Sequence, residues 1–268
     1  MLDHDFTEKT FPPLNTCMYC GTSDELTDEH IVPYGLVGNW LILPKSSCKT
    51  CAKKTSAVEL AVLRGTLDLF RNATGSPTRR PKQRSAAPRV PIGRRFGRGP
   101  IQPTHEGVRI PLEELPRVYV CLKMGLPGVL LGGAPADEYP IEIFSIHPSK
   151  TSPAFRRISQ RREALRLASI HPLFYMRFLA KVAHAFAVGE LGLGGFVPVL
   201  SDVILGNDDH ARYWVGGTDE VPPPEDRLIN FQMGTASRDG QDYILVFVRL
   251  YASLGTPQYV VVVGRPLA

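Results

Sequence analysis

Cys17-Met18-Tyr19-Cys20, Thr27-Asp28-Glu29-His30-Ile31-Val32-Pro33, Gly38-Asn39-Trp40-Leu41 and Cys48-Lys49-Thr50-Cys51 together make up the most informative segment of the chain. The two Cys-x2-Cys pairs are separated by 27 residues. Four thiolates in two close pairs match the tetrahedral preference of zinc, each pair wrapping one edge of the tetrahedron. Disulfides would need an oxidising compartment, and Met1-Leu2-Asp3-His4-Asp5 lacks the basic start and apolar run of a secretion signal. A redox Cys-x2-Cys would need only one pair. Cys17, Cys20, Cys48 and Cys51 are therefore expected to hold a structural zinc ion, and Cys121, in an apolar strand, reads as a buried thiol.

The gap between the pairs is longer than that of a zinc ribbon, so something is held between them. An acidic residue directly before a histidine, then two β-branched residues and a proline, puts a carboxylate and an imidazole together at a strand end. Metal-assisted phosphodiester hydrolysis uses such a pair: the carboxylate holds a hard divalent cation, and the neutral imidazole takes a proton from water. Taken alone, a histidine before an apolar strand is more often a hydrogen-bonded structural residue. Its place between the two knuckles favours the chemical reading.

The order Cys-x2-Cys-Gly, Leu-Thr-Asp-Glu-His-Ile-Val-Pro, Gly-Asn, Ser-Cys-x2-Cys, over about residues 15 to 60, resembles the zinc-containing branch of the HNH endonuclease family. The core of that family is a ββα-metal motif. The resemblance implies that His30 is the general base and Glu29 a ligand of a catalytic Mg2+ or Mn2+. It also implies that Asn39 hydrogen-bonds locally to orient the His30 loop; an ordinary Gly-Asn turn is the alternative. In the family the residue after the last knuckle cysteine is commonly Asn or His and can be a second metal ligand. Here it is Ala52, which cannot coordinate, leaving Asp28, Ser56 and Glu59 as nearby candidates.

Working outward, 268 residues at 43% hydrophobic content can hold one large domain or two small ones, and exclude collagen, a disordered tail and a disulfide-stapled miniprotein. No run approaches the roughly 20 apolar residues of a membrane helix, so a soluble, cytoplasmic protein is expected. The formal net charge is +5, but nine basic residues and no acidic one fall between Leu69 and His105, which leaves the remainder net acidic. Residues 72–104, rich in Pro, Gly and Arg, read as a linker between an N-terminal module (1–71) and a second domain (105–268). Arg79, Arg80, Lys82, Arg84, Arg94, Arg95 and Arg98 are candidate contacts to nucleic-acid phosphates, DNA first and RNA second. A solvated linker is the alternative.

The N-terminal module should carry a helix from Ser56 to Phe70 capped at Thr55 or Ser56. In the second domain, apolar runs at Val118–Leu122, Ile141–Ile146, Tyr243–Val248 and Tyr259–Val263 predict strands, Pro172 to Leu191 predicts a long helix ended by Gly192, and a shorter basic helix is expected from Gln160 to Ala168. His184 reads as a satisfied core histidine and Asn207-Asp208-Asp209-His210 as a polar turn. The expected fold class is α+β: a zinc-stapled ββα-metal (HNH) module, then a domain with a mostly antiparallel sheet on one long helix. The reading from sequence is a metal-dependent endonuclease acting on DNA. Its competitors are a noncatalytic zinc module that binds nucleic acid or protein, and a ligand-sensing regulator with a zinc output domain. The second domain could recognise substrate or partner, or make the chain a homo-oligomer.

Overall fold

The computed structural model describes residues 8–95, 101–146, 153–160, 163–165 and 169–267. Strand β1 (Lys9–Thr10) is followed by β2 (Leu26–His30), a single turn α1 (Tyr34–Val37), β3 (Leu41–Cys48) and α2 (Lys49–Ala61). A π-turn over Val62–Thr66 leads into α3 (Asp68–Thr74). Then come β4 (Arg89–Arg95), β5 (Ile101–Arg109), β6 (Tyr119–Met124), α4 (Gly128–Leu131), β7 (Ile141–Ile146), α5 (Pro153–Gln160) and β8 (Glu163–Leu165). The remainder is α6 (Pro172–Leu191), β9 (Val197–Pro198), α7 (Ser201–Leu205), α8 (Ala211–Trp214), β10 (Val215–Gly217), β11 (Ile229–Arg238), β12 (Gln241–Leu250) and β13 (Tyr259–Arg265).

The result is a mixed α+β fold whose strands pair antiparallel except for β1 on β3. In the large sheet the order is β10-β13-β12-β11, with β9 on β13. Its central strands are buried on both faces, which explains why they read as continuous apolar runs rather than as an alternation. Ile244, Val246, Val248, Val261 and Val263 point into the main core. Tyr243, Leu245, Val260 and Val262 face a smaller cluster around Val129. Helix α6 lies against the first face and is buried around most of its circumference from Tyr175 to Ala185, as expected for a helix that is apolar on every side. It spans the residues expected, with Pro172 in its first turn and Gly192, at φ 75°, receiving the end of the helix.

The main core runs from Phe11 to Val263 and takes side chains from both sides of the basic stretch. That stretch is not bare linker in the structure. Val90 and Ile92 turn inward from β4, which pairs with β5 and β8. The two-residue period was hidden by Pro91, which sits at a register shift where the ladder loses a donor without penalty. Two helix expectations also change. Helix α2 starts at Lys49, capped by Cys48 rather than by Thr55 or Ser56, and gives way at Val62 to the π-turn instead of running on to Phe70. The basic helix ends at Gln160 instead of starting there, and Glu163–Leu165 pairs with Ile92–Arg94 as a strand. The rest of its expected span, residues 161–162 and 166–168, lies outside the described residues. Among the described residues no helix is long and apolar enough to cross a membrane.

His184, on α6, corrects the expectation of a satisfied histidine. It is fully buried between the rings of Tyr19 and Phe196, and neither ring nitrogen makes a hydrogen bond. Burial pushes its pKa down to about 4, the nearby backbone of Met18 opposing this only in part. The folded chain therefore keeps His184 neutral, while the unfolded chain takes up a proton below about pH 6.5. This contribution to stability is complete above about pH 6.5 and is lost as the pH falls towards 4, by roughly 2 kcal/mol at pH 5. In urea titrations at pH 7.5 and pH 5, His184→Leu is expected to lose about 2 kcal/mol less than the wild type. An equal loss in both chains would remove His184 as the cause.

Candidate functional site

The four cysteines converge. Their sulfurs all lie within 4.8 Å of one another, and Cys20 Sγ stands 3.7 Å from Cys48 Sγ. A tetrahedron with zinc–sulfur bonds of roughly 2.3 Å has edges of roughly 3.8 Å, so the cluster fits a structural metal ion such as zinc. Local backbone prepares it. The Cys17 carbonyl accepts the Gly21 N–H, with Gly21 at φ 77°, and Cys48 Sγ accepts the Cys51 N–H at 3.5 Å, which caps α2. Burial resists ionisation of Cys17, but N–H groups of Cys48, Tyr19 and Cys20 directed at its sulfur outweigh this and hold its pKa below the ordinary thiol value. Cys48→Ser is expected to abolish stoichiometric metal in elemental analysis and to lower Tm by on the order of 10 °C. Retention of one zinc per chain would show that the cluster is not the metal site.

Beside this staple, β2 and β3 form the hairpin that presents Asp28, Glu29 and His30. Residues 44–46 bulge opposite Asp28, with Pro44 in the strand and Lys45 at φ 47°. The Lys45 N–H donates to Asp28 Oδ1 at 3.0 Å, so Asp28 fastens the bulge. The His30 imidazole lies 3.0 Å from Asn39 through Nε2 and Oδ1. Because a carboxamide oxygen only accepts, Nε2 is the donor in this contact, and Nδ1 is the nitrogen the contact leaves uncommitted. Asn39 is fixed in turn by Trp40, whose indole stacks on Phe231 of β11 at 6.1 Å, and Phe231 stacks on Phe186 of α6 at 4.4 Å.

Glu29 points the other way, into the core, where α6 supplies Lys181. The ammonium lies 2.5 Å from Glu29 Oε1 and 2.7 Å from Glu59 Oε1, and also donates to the His30 and Ile31 carbonyls at 2.5 and 3.3 Å. Burial alone would lower the pKa of Lys181, but the two carboxylates raise it. Burial, reinforced by Glu59, raises that of Glu29 against the pull of Lys181.

A cleft of about 1120 Å3 opens over these groups. Its lining includes Glu29, His30, Ala52, Ser56 and Glu59, the carboxylates Asp28 and Asp68, and the guanidiniums of Arg64, Arg79, Arg80, Arg84, Arg89 and Arg109. Tyr34 packs edge-on against His30 at 6.2 Å and carries the Arg79 guanidinium over its other side at 5.2 Å.

Of the expected phosphate contacts, Arg79, Arg80 and Arg84 therefore line the same cleft as His30, although Arg84 also donates to the Ser76 carbonyl. Lys82 is exposed and does not line the cleft. Arg94 pairs with Glu106 at 2.7 Å. The Arg95 side chain and all of Arg98 lie outside the described residues. Arg71 is structural: it donates to the carbonyls of Gly35, Leu63 and Pro77, and a Cβ on Gly35 would meet its guanidinium at 2.7 Å. Asn207–His210 is held by its own partners, His210 on Asp208 and Arg177 on Asp209.

Sequence reading missed Arg64, Arg89, Arg109 and, above all, Lys181. Its signal was a lone ammonium in an apolar helix, in line with Arg177 and His184. No protein-family model, no curated protein and no solved structure matches the chain.

The donors around Glu29, where a divalent cation is expected, are already committed. Glu29 and Glu59 are engaged by Lys181, Asp28 by the bulge, and Ala52 offers no donor. Among the described residues, only the four cysteines bring three or more metal-ligating side chains together. The residues around Glu29 do not fit a resident Mg2+ or Mn2+.

Proposed function

We propose that the chain is an HNH-like nucleic-acid phosphodiesterase, stapled by zinc, that takes a DNA backbone into the arginine-lined cleft with His30 as general base. The observation that carries this reading is the placement of His30, its Nε2–H directed to Asn39, in one cleft with Arg79, Arg80 and Arg84. Guanidinium groups bind phosphate oxygens bidentately and would both hold the backbone and offset charge developing on the nonbridging oxygens. A water in line with the scissile bond would give its proton to His30 Nδ1 while its oxygen bonds to phosphorus. The P–O3′ bond then breaks, and the departing oxygen takes up a proton to leave a 5′-phosphate and a 3′-hydroxyl. RNA offers the same backbone and is the second substrate to test.

One observation favours a noncatalytic nucleic-acid-binding module: the carboxylate that the HNH resemblance assigns to a catalytic cation is shared with Lys181. Nicking of supercoiled plasmid and cleavage of labelled RNA, each with Mg2+, with Mn2+ and with EDTA, separates the two. The hydrolase reading expects cleavage that falls roughly 100- to 10,000-fold in His30→Ala, with zinc content and DNA binding retained. Binding that weakens steeply with salt, with no cleavage of either substrate under any condition, would establish the binding module instead.

A further inference from the structure

We propose that Lys181 is the resident cation of the cleft, a positioning residue that holds the place between Glu29 and Glu59 that a divalent ion would otherwise take. Its ammonium sits in a cage made only of oxygens: a carboxylate from β2, a carboxylate from α2 and the carbonyls of His30 and Ile31. Two carboxylates with two carbonyls are the donors a hard divalent cation takes. Here they stand 2.5 to 3.3 Å from the cation. That is hydrogen-bonding distance, against roughly 2.0 to 2.1 Å for oxygen on Mg2+. The Lys181 side chain is fully buried, and those of Glu29 and Glu59 are 8% and 20% exposed, so no rearrangement at the surface frees them.

The placement has two consequences. Glu29 and Glu59, which would repel an incoming phosphate, are neutralised in part from behind, which leaves the arginines outnumbering Asp28 and Asp68 in the lining of the cleft. The carbonyl of His30 is also anchored directly, so the ammonium positions the residue whose imidazole faces the cleft. The inference rests on the cleft being the phosphate site, but its test does not use cleavage.

Zinc-loaded full-length chain is titrated with Mn2+ and followed by the loss of the free-ion EPR signal, in the wild type, Lys181→Met and Lys181→Met/Glu29→Gln. The wild type is expected to bind no Mn2+ at concentrations where K181M binds one equivalent at least about tenfold more tightly, and the double variant should lose that gain. Binding of a short DNA duplex by the wild type in EDTA should persist. Wild-type binding of one Mn2+ that Glu29→Gln abolishes would overturn the proposal, as would a folded, zinc-replete K181M with no gain. Removing one partner of a buried ion pair is strongly destabilising. If K181M fails to fold, the wild-type and Glu29→Gln titrations decide: Glu29-dependent Mn2+ binding overturns the proposal, and its absence with DNA binding in EDTA supports it. A chain that passes these tests and cleaves nothing would refute the hydrolase reading alone.

Discussion

One ammonium ties the molecule together. Lys181 leaves the middle of α6 and meets Glu29 on β2, Glu59 on α2 and two carbonyls of the strand end that carries His30. An uncompensated charge in a protein interior costs several kcal/mol, so the three elements satisfy it together or leave it stranded. Apolar faces tolerate small slides against one another. A cation with four oxygen partners does not, and it gives the packing of α6 on the knuckle module a single register. This fits a core continuous from Phe11 to Val263. The stacking of Phe186, Phe231 and Trp40 is a second, apolar link from the same helix to the Gly38–Trp40 loop. His30 is thus held from both sides, by its carbonyl through Lys181 and by its ring through Asn39.

The electrostatics of the cleft follow from which charges are buried and which are not. Glu29 and Glu59 are turned inward against Lys181, which leaves Asp28 and Asp68 as its remaining carboxylates against a larger number of guanidiniums. The basic face is not the basic stretch of sequence. Arg71 is used on carbonyls and Arg94 on Glu106, whereas Arg64 and Arg109 join Arg79, Arg80 and Arg89 from outside the run or its far edge. A field read from linear charge density finds the right sign but only part of the right surface.

What was legible in the sequence follows the same logic. Helix α6 and the strand at Tyr259–Arg265 are almost uniformly apolar, and burial in or against the large sheet needs little beyond that pattern. The four cysteines were legible because metal geometry restricts spacing. The start of α2 was not, because its cap is a sulfur and not a hydroxyl or carboxylate, and a metal-site residue does not advertise itself as a helix terminus. The β4–β5 hairpin was hidden by Pro91, between its inward-facing Val90 and Ile92, and by the arginines that flank them. Lys181 could be seen only as an anomaly, since the sequence gives no hint that Glu29 and Glu59 lie 152 and 122 positions away at its tip.

The two ends of α2 then account for what position 52 does and does not offer the cleft. At its start Cys48 and Cys51 fix the helix to the four-cysteine cluster, and with it the direction in which each later side chain points. Ala52, Ser56 and Glu59 follow at helical spacing on the face that lines the cleft. A ligand at position 52 would reach the open cleft, but that position holds a methyl group. The carboxylate on this face comes seven residues later, deep enough to meet Lys181 instead of solvent. The missing donor near the opening and the ammonium below it are therefore one arrangement: with no ligand at position 52 that could help hold a metal ion beside Glu29, the buried carboxylates are met by a cation supplied by the chain itself, from α6.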